Sequence, residues 1–555
     1  MGVFTEKFSI EQEGQILSHY VSAPFKDVFF VYDALPPEQF ATLAASYSRT
    51  HEPFQKRLLK SIESGDLPFQ GNWGERGELL LPNISNAISP EKTKRFIEKW
   101  AQEYGHNSIK EMANVRFVCE NIPDLTGKII TGHPLAHPQV KSSRYLDWNN
   151  ILELSEKNLD ITNSKNKDLI LSTLKKLGDA YSLITNQLEQ FVKEHPLNKQ
   201  FYSHRSLYDV VIGKKLSVEA LEIEYDKDSK KSVLDYSRYL LTPAMSTSLA
   251  CSINVRALEE VITNLLSSPL KQDNYVGEQI LNESRKAVPI LMGEKSYAKK
   301  STYQVKSKEN MLELLPQIFE FEKKRTFERG ERTSFLKHVN ETSDLFAASA
   351  IAWQYGNGSF MQYYDSLLRA PQNIKKIFSA TLRYRDWHDS LSTAFLIEAP
   401  AFETLMDYGG DRDNHRHRRG AFLRQILTTE HGFETPQIIK DAGLIDEKYV
   451  AAMKLAENAF NLVRQDEPHI AQLLVPFAYR CRRLLSWSPG QKAYYVELRS
   501  KSSGHDSYRD IALNLSEHID SEMPLLSEYI RVDKREYPQH LIKGARSWYD
   551  STKRE

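Results

Sequence analysis

Three short segments recur in the same order in the two halves of the chain, and that order constrains the fold more than any single motif does. "LAAS" (43–46) is matched by "FAAS" (346–349), "GHNS" (105–108) by "WHDS" (387–390), and "SRYLLTPA" (237–244) by "AQLLVPFA" (471–478). Each match alone is weak, but three in sequence point to an internal repeat, two diverged copies of one fold. The length agrees, because 555 residues exceed what one ordinary core serves. The lysine-rich stretch "GEKSYAKKSTYQVKSKEN" (293–310) reads as the linker, which sets the domains at 1–310 and 311–555.

Most of the chain reads as helix. "SPEKTKRFIEKWAQEYG" offers Ser89 as an N-cap, Pro90 in the first turn and Gly105 past the end. Helical spacing runs from Leu169 to Val192 and returns in "NVRALEEVITNLLSS" and "YRDIALNLSEHI". The predicted strands are short: "DVFFVY" near the start, "NVRFVCE" at 114–120, "TAFLIEA" at 393–399 and "AYYVEL" at 493–498.

Lys+Arg and Asp+Glu both number 73, so no overall field draws the protein to nucleic acid or to an anionic membrane. Any polyanion must be met by a local cluster. The three cysteines, Cys119, Cys251 and Cys481, form no CxxC pair, which argues against a disulfide framework or a thiolate zinc site and for a reducing cytoplasm. The first residues lack the apolar core of a signal peptide, and no run approaches the roughly 18 apolar residues of a membrane span. A cytoplasmic protein with no membrane and no stable nucleic-acid partner is expected.

One local cluster stands out. "DRDNHRHRRG" (411–420) gathers Arg412, His415, Arg416, His417, Arg418 and Arg419 after a Gly-Gly turn. His415 and His417 are two apart with no cysteine near, which does not suit zinc on a helix face. The flanks "FETLMDYGGD" and "TTEHGFET" are acidic, which argues against a nucleic-acid surface. A solvated charge run remains open. Against it, two guanidinium forks around an imidazole suit bidentate binding of phosphate or ring carbonyls.

With these residues the chain resembles the flavin-dependent thymidylate synthases, over about 40–290 and again over 345–530. That family carries Arg-His-Arg, seven residues, Ser, one residue, Arg, and further along an "AR..LP" segment, an "NxR" helix start and a closing "LR". The first half keeps Ser142 and Arg144 at the family spacing, Arg238 in "SRYLLTP", and Asn254 and Arg256 in "SINVRALEE". It has lost both arginines around His133, and Leu265 stands where the family has its last arginine. The second half is nearly the reverse. Arg416, His417 and Arg418 are intact and "VELRS" retains Arg499, whereas Ile426, Thr428 and Gln472 replace the serine and two arginines. The family's acidic residue before the serine is missing from both halves, where Val140 and Arg424 stand.

The resemblance implies an α/β (α+β) fold, two tandem, diverged domains that are helix-rich with a central, mostly antiparallel sheet in each. It implies reductive methylation of deoxyuridylate at uracil C5, with FAD as cofactor and methylenetetrahydrofolate and NADPH as co-substrates. Because each half keeps what the other has lost, one composite site per chain is expected. Ser142, Arg144, Arg238 and Arg499 would meet the nucleotide, Ser142 orienting it and Arg499 beside the uracil carbonyl. Arg416, His417, Arg418, Asn254, Arg256, His106, Ser108, His388 and Ser390 would meet the flavin. A family tetramer becomes a homodimer of fused chains. Blander roles stay open: ion pairing for Arg144 and Arg238, core hydrogen bonding for His106 or His388, helix capping for Asn254. So do two other functions, a non-catalytic nucleotide- or flavin-binding scaffold and a methyltransferase for another uridylate.

Overall fold

The computed structural model describes residues 8–35, 50–64, 110–148, 164–293, 296–320, 344–385, 393–397 and 401–549, apart from single residues and pairs inside these spans, with a few short pieces elsewhere. Two compact units form. The first takes residues 1–142, 153–160 and 244–305, the second residues 143–152, 161–243 and 306–555. Residues 161–243, which lie in the first half of the sequence, thus pack in the second unit.

In the first unit β1 (Val28–Val31), β2 (Asn114–Pro123), β3 (His137–Val140) and β4 (Ser246–Asn254) pair antiparallel in the order β1-β2-β4-β3. Successive side chains alternate between the faces, as a pleated strand requires. Phe30, Phe117, Cys119, Leu249 and Cys251 join one core with the helices Val255–Leu266 and Lys271–Ala287. Phe29, Val31, Val118 and Ala250 face the other way, onto the helices Ile10–Tyr20 and Phe54–Glu63. Each fully buried phenylalanine contributes about 1.5–3 kcal/mol over its exposed state.

The second unit repeats this topology. Its strands β5 (Thr333–Phe335), β6 (Ala401–Asp407), β7 (Ala421–Arg424) and β8 (Arg480–Ser486) run antiparallel in the order β5-β6-β8-β7. Leu423 and Leu484 pack on one side with the helices Asp344–Tyr355 and Phe360–Arg369. Phe402, Met406 and Leu485 pack on the other with Pro489–Arg499 and Asp506–Glu522. A helical layer of Lys167–Glu194, Val218–Ser237 and Val450–Asp466 completes the unit.

A carboxylate recurs in each sheet. Glu120 on β2 accepts from Tyr47 Oη at 3.0 Å and from the Phe54 amide, at the start of a helix, at 2.8 Å. Glu403 on β6 accepts from Trp353 Nε1 at 3.0 Å and from the Phe360 amide, also opening a helix, at 2.7 Å. In both cases the side-chain donor lies seven residues before the amide. A carboxylate at a helix N-terminus satisfies an orphan amide and suits the helix dipole.

The sequence reading holds for β1, for the strand at 114–120 and for the helices at 169–192, 255–266 and 506–522. Two predicted strands are corrected. "AYYVEL" lies inside the helix Pro489–Arg499, because the Ser488 cap and Pro489 at the first turn start a helix whose buried residues, Gln491, Lys492, Tyr495 and Val496, follow helical spacing. "TAFLIEA" supplies a short 3-10 turn, Thr393–Leu396, and the strand begins at Ala401. The signal for β6 was masked because Glu403, Thr404 and Asp407 are polar yet fully buried. The predicted helix at 89–105 lies outside the described residues. Among the described residues no helix is long and apolar enough to cross a membrane, and no group of three or more His, Cys, Asp or Glu could hold a metal ion. Cys119, Cys251 and Cys481 are buried and form no disulfide.

Candidate active site

The residues of the basic stretch are set by a short helix, Tyr408–Asn414, that leaves β6. Asp407 caps it, accepting from the Gly410 amide at 2.6 Å and from Ser507 Oγ. Burial pushes the Asp407 carboxyl up to about 6. A Cβ at Gly410 would lie 2.4 Å from Ser507 Oγ and 2.7 Å from Met406 Cε, so a larger residue here would have to displace the Ser507 and Met406 side chains. Its last turn carries Asp413 into the centre of the second unit.

Four guanidiniums surround Asp413. Arg238 Nη1 is 3.3 Å from its Oδ2, Arg416 Nε is 3.8 Å from its Oδ1, and Arg499 Nη2 donates to its backbone oxygen at 3.1 Å. Arg144 acts on it through space and is itself held by Asp235, which accepts from Nε at 2.5 Å and Nη2 at 2.9 Å, while Nη1 donates to Tyr508 Oη at 2.9 Å. Burial alone would raise the Asp413 carboxyl, but the charges of Arg144, Arg238, Arg416 and Arg499 outweigh it and hold the group well below the usual carboxylate range. The Tyr508 ring lies under both Arg499 and Arg144, at 5.1 and 5.7 Å.

His417 completes the arrangement. Arg499 Nε donates to His417 Nε2 at 2.8 Å. A guanidinium is always a donor, so the imidazole proton sits on Nδ1. Gln491 Nε2 lies 3.3 Å from Nδ1, and turning that amide end for end brings its oxygen there to accept the proton. Burial first, then the Arg499 charge, pushes His417 down to about 3, which keeps it neutral. His505 is likewise pushed down to about 3 by burial and by Arg238; its Nδ1 accepts from the Ser507 amide at 3.2 Å.

Four cations against the two carboxylates of Asp235 and Asp413 leave positive charge in a largely dry place. Arg238 is 1% exposed, and its Nε and Nη2 have no hydrogen-bond partner. Buried N–H groups in a native fold are nearly always paired, so these two call for an acceptor. Arg416 is mostly exposed and Arg418 half-buried, so the cluster reaches the surface along the basic stretch.

Of the residues expected at a site, Arg144, Arg238, Arg416, His417 and Arg499 come together, and Arg418 stands close enough for its charge to act on His417. Both halves of the sequence contribute. Three expected residues belong to the first unit. Ser142 is half-exposed there, Asn254 caps the helix Val255–Leu266 by accepting from the Ala257 amide at 2.9 Å, and Arg256 pairs with Glu111 at the surface. His106, Ser108, His388 and Ser390 lie outside the described residues. Sequence reasoning missed Asp413, Asp235, Tyr508, His505 and Ser143, which accepts from Arg412 Nη1. Asp413 stood inside the conspicuous stretch, but an acid among arginines reads as solvated charge.

This is a cluster of arginines on an α+β scaffold, with a neutral imidazole locking one of them. Comparisons narrow it further. Residues 68–290 match the family described as thymidylate synthase complementing protein, so the resemblance read from the motifs holds over that span. The chain is 25% identical to a UPF0159 protein of Chlamydia muridarum, over 94% of this chain and 95% of the relative. It is 25% identical to a UPF0159 protein of Chlamydia pneumoniae, over 95% of each, and 23% identical to one of Thermoplasma acidophilum, over 81% of this chain and 90% of the relative. No solved structure matches.

Proposed function

We propose that the chain is a flavin-dependent thymidylate synthase-like enzyme that methylates deoxyuridylate at uracil C5. In this reading it consists of two diverged copies of one fold, 1–310 and 311–555, and one working site lies in the second unit. The repeated strand order and the matching carboxylates Glu120 and Glu403 support the duplication. The placement of 143–152 and 161–243 in the second unit, with Arg144, Arg238, Arg416 and Arg499 around Asp413, supports a single site.

The observation that carries the reading is the unpaired edge of buried Arg238 beside Asp413. It suits the phosphate of a nucleotide, for which a guanidinium fork is the matching donor. Arg416 and Arg418 flank His417 with forked donors suited to a flavin nucleotide, and bound reduced flavin would supply the hydride that, with the folate methylene, completes the methyl group. Arg499 is held by His417 and the Asp413 backbone so that its remaining donor can meet a uracil carbonyl and favour the anionic, nucleophilic ring. The C5 proton then leaves to solvent.

Tritium release tests this. Deoxyuridylate labelled at C5 is incubated with the protein, FAD, NADPH and methylenetetrahydrofolate, and tritium should appear in water. Substituting Arg499→Met should lower the rate 100-fold or more, the usual scale for loss of an oxyanion donor. Deoxyuridylate binding without any tritium release would replace the enzyme reading with the scaffold reading.

A further inference from the structure

A second excess of buried positive charge lies where β7 meets β8. Arg424 and Arg483 are direct cross-strand partners, so their side chains leave the same face of the sheet. Like charges placed so destabilise a strand pair unless they are compensated. One acid serves both. Asp411 accepts from Arg483 Nε at 2.5 Å and Nη2 at 2.6 Å, and Arg424 Nη1 stands 3.9 Å from its Oδ2. The side chains of Asp411 and Arg483 are 0% and 1% exposed, that of Arg424 18%.

Among the described residues, Asp411 is the carboxylate that pairs with either arginine. Arg483 packs on the Phe422 ring at 4.9 Å, and Arg424 packs on the Tyr408 ring at 5.2 Å and also meets the Tyr408 hydroxyl, a neutral partner. His415 Nδ1 lies 3.5 Å from Arg483 Nη2, and burial pushes the nearby Cys481 thiol well up, which keeps it protonated. Nη1 of Arg483 and Nη1 of Arg424 are both buried without a hydrogen bond. Two cations share one carboxylate, and each keeps one buried Nη1 without a hydrogen bond. A buried charge left so is costly, and an oxyanion with several oxygens removes that cost.

We propose that Arg424 and Arg483 form a phosphate-binding site, separate in its residues from the Arg238–Asp413 cluster and opening through the partly exposed Arg424. A phosphate has oxygens enough for both forks and the charge that Asp411 alone does not supply. Its source is either free inorganic phosphate or the phosphate of a nucleotide-type small molecule.

Equilibrium dialysis of the full chain against labelled inorganic phosphate at low ionic strength decides. The Arg424→Gln variant should bind one phosphate fewer per chain than the wild type, whereas Arg238→Gln should keep this site. The pairing also separates this claim from the function proposed above: loss of one phosphate in Arg424→Gln supports this site even if Arg238→Gln leaves deoxyuridylate turnover untouched. Arg424→Lys keeps the charge but not the fork, and should weaken binding at least tenfold; it also serves if the glutamine variant fails to fold. Equal binding by wild type and both Arg424 variants overturns the proposal, as does a wild type that takes up no phosphate. Competition by ADP more strongly than by phosphate assigns the nucleotide source, and no competition by ADP assigns free phosphate.

Discussion

Replacing Asp413 with alanine should cost the second unit about 3–5 kcal/mol, the scale for removing one member of a buried ionic network and leaving its partners uncompensated. Here the partners are several: Arg144, Arg238, Arg416 and Arg499 all act on this carboxylate, and Arg238 is almost fully buried. The readout is the urea midpoint followed by near-ultraviolet circular dichroism. A double change, Asp413→Ala with Arg238→Met, should recover part of the loss, because it removes the stranded cation together with its anion. The pH dependence has a definite sign. The folded carboxyl is depressed below its unfolded value, so its contribution is present above the unfolded pKa and fades only as pH falls through the still lower folded value. Between pH 5 and 8 the cost of Asp413→Ala should therefore be constant. A loss below 1 kcal/mol would mean that Asp413 does not organise the cluster.

Acid should weaken the same unit by a different route. His417, His431 and His505 are each pushed down to about 3, in every case by burial first and then by a neighbouring arginine: Arg499, Arg482 and Arg238 respectively. The unfolded chain binds protons at these rings from about pH 6.5 downward. The folded chain does not, so stability must fall as pH drops from about 6.5 towards 3. From pH 7 to pH 5 each histidine accounts for about 2 kcal/mol, roughly 6 kcal/mol for the three, of which about 1 kcal/mol is offset as Asp407, pushed up to about 6, takes up its proton in the folded chain. His505→Gln should flatten the slope by about a third. A urea midpoint that stays level between pH 7 and 5 would contradict the burial of these rings as neutral groups.

How far the sequence foretold this site depends on which residues are considered. Arg416, His417 and Arg418 were visible because the stretch is dense in cations within a neutral chain. Arg144, Arg238 and Arg499 came only through spacing shared with a family, since each looks locally like any surface arginine. Asp413 and Asp235 were not legible: pairing across 91 residues to Arg144, or 175 to Arg238, leaves no local trace. The fold shows the same division. Strands with apolar runs, such as β1 and the start of β2, are readable, whereas β6 and β8 hide buried Glu403, Asp407 and Arg483 inside what looks like polar loop. The helix Pro489–Arg499 was mistaken for a strand because its aromatic run outweighs its cap. The placement of 161–243 in the second unit follows from tertiary packing that no local period encodes.

The central claim is that one site in the second unit, drawn from both halves of the sequence, holds a flavin beside a uracil nucleotide. The visible spectrum of the purified chain after incubation with FAD tests it most directly. A retained flavin band that shifts on adding deoxyuridylate, and no longer shifts in the Arg238→Gln variant, is the predicted result. A protein that stays colourless, or a shift that survives in that variant, would contradict it.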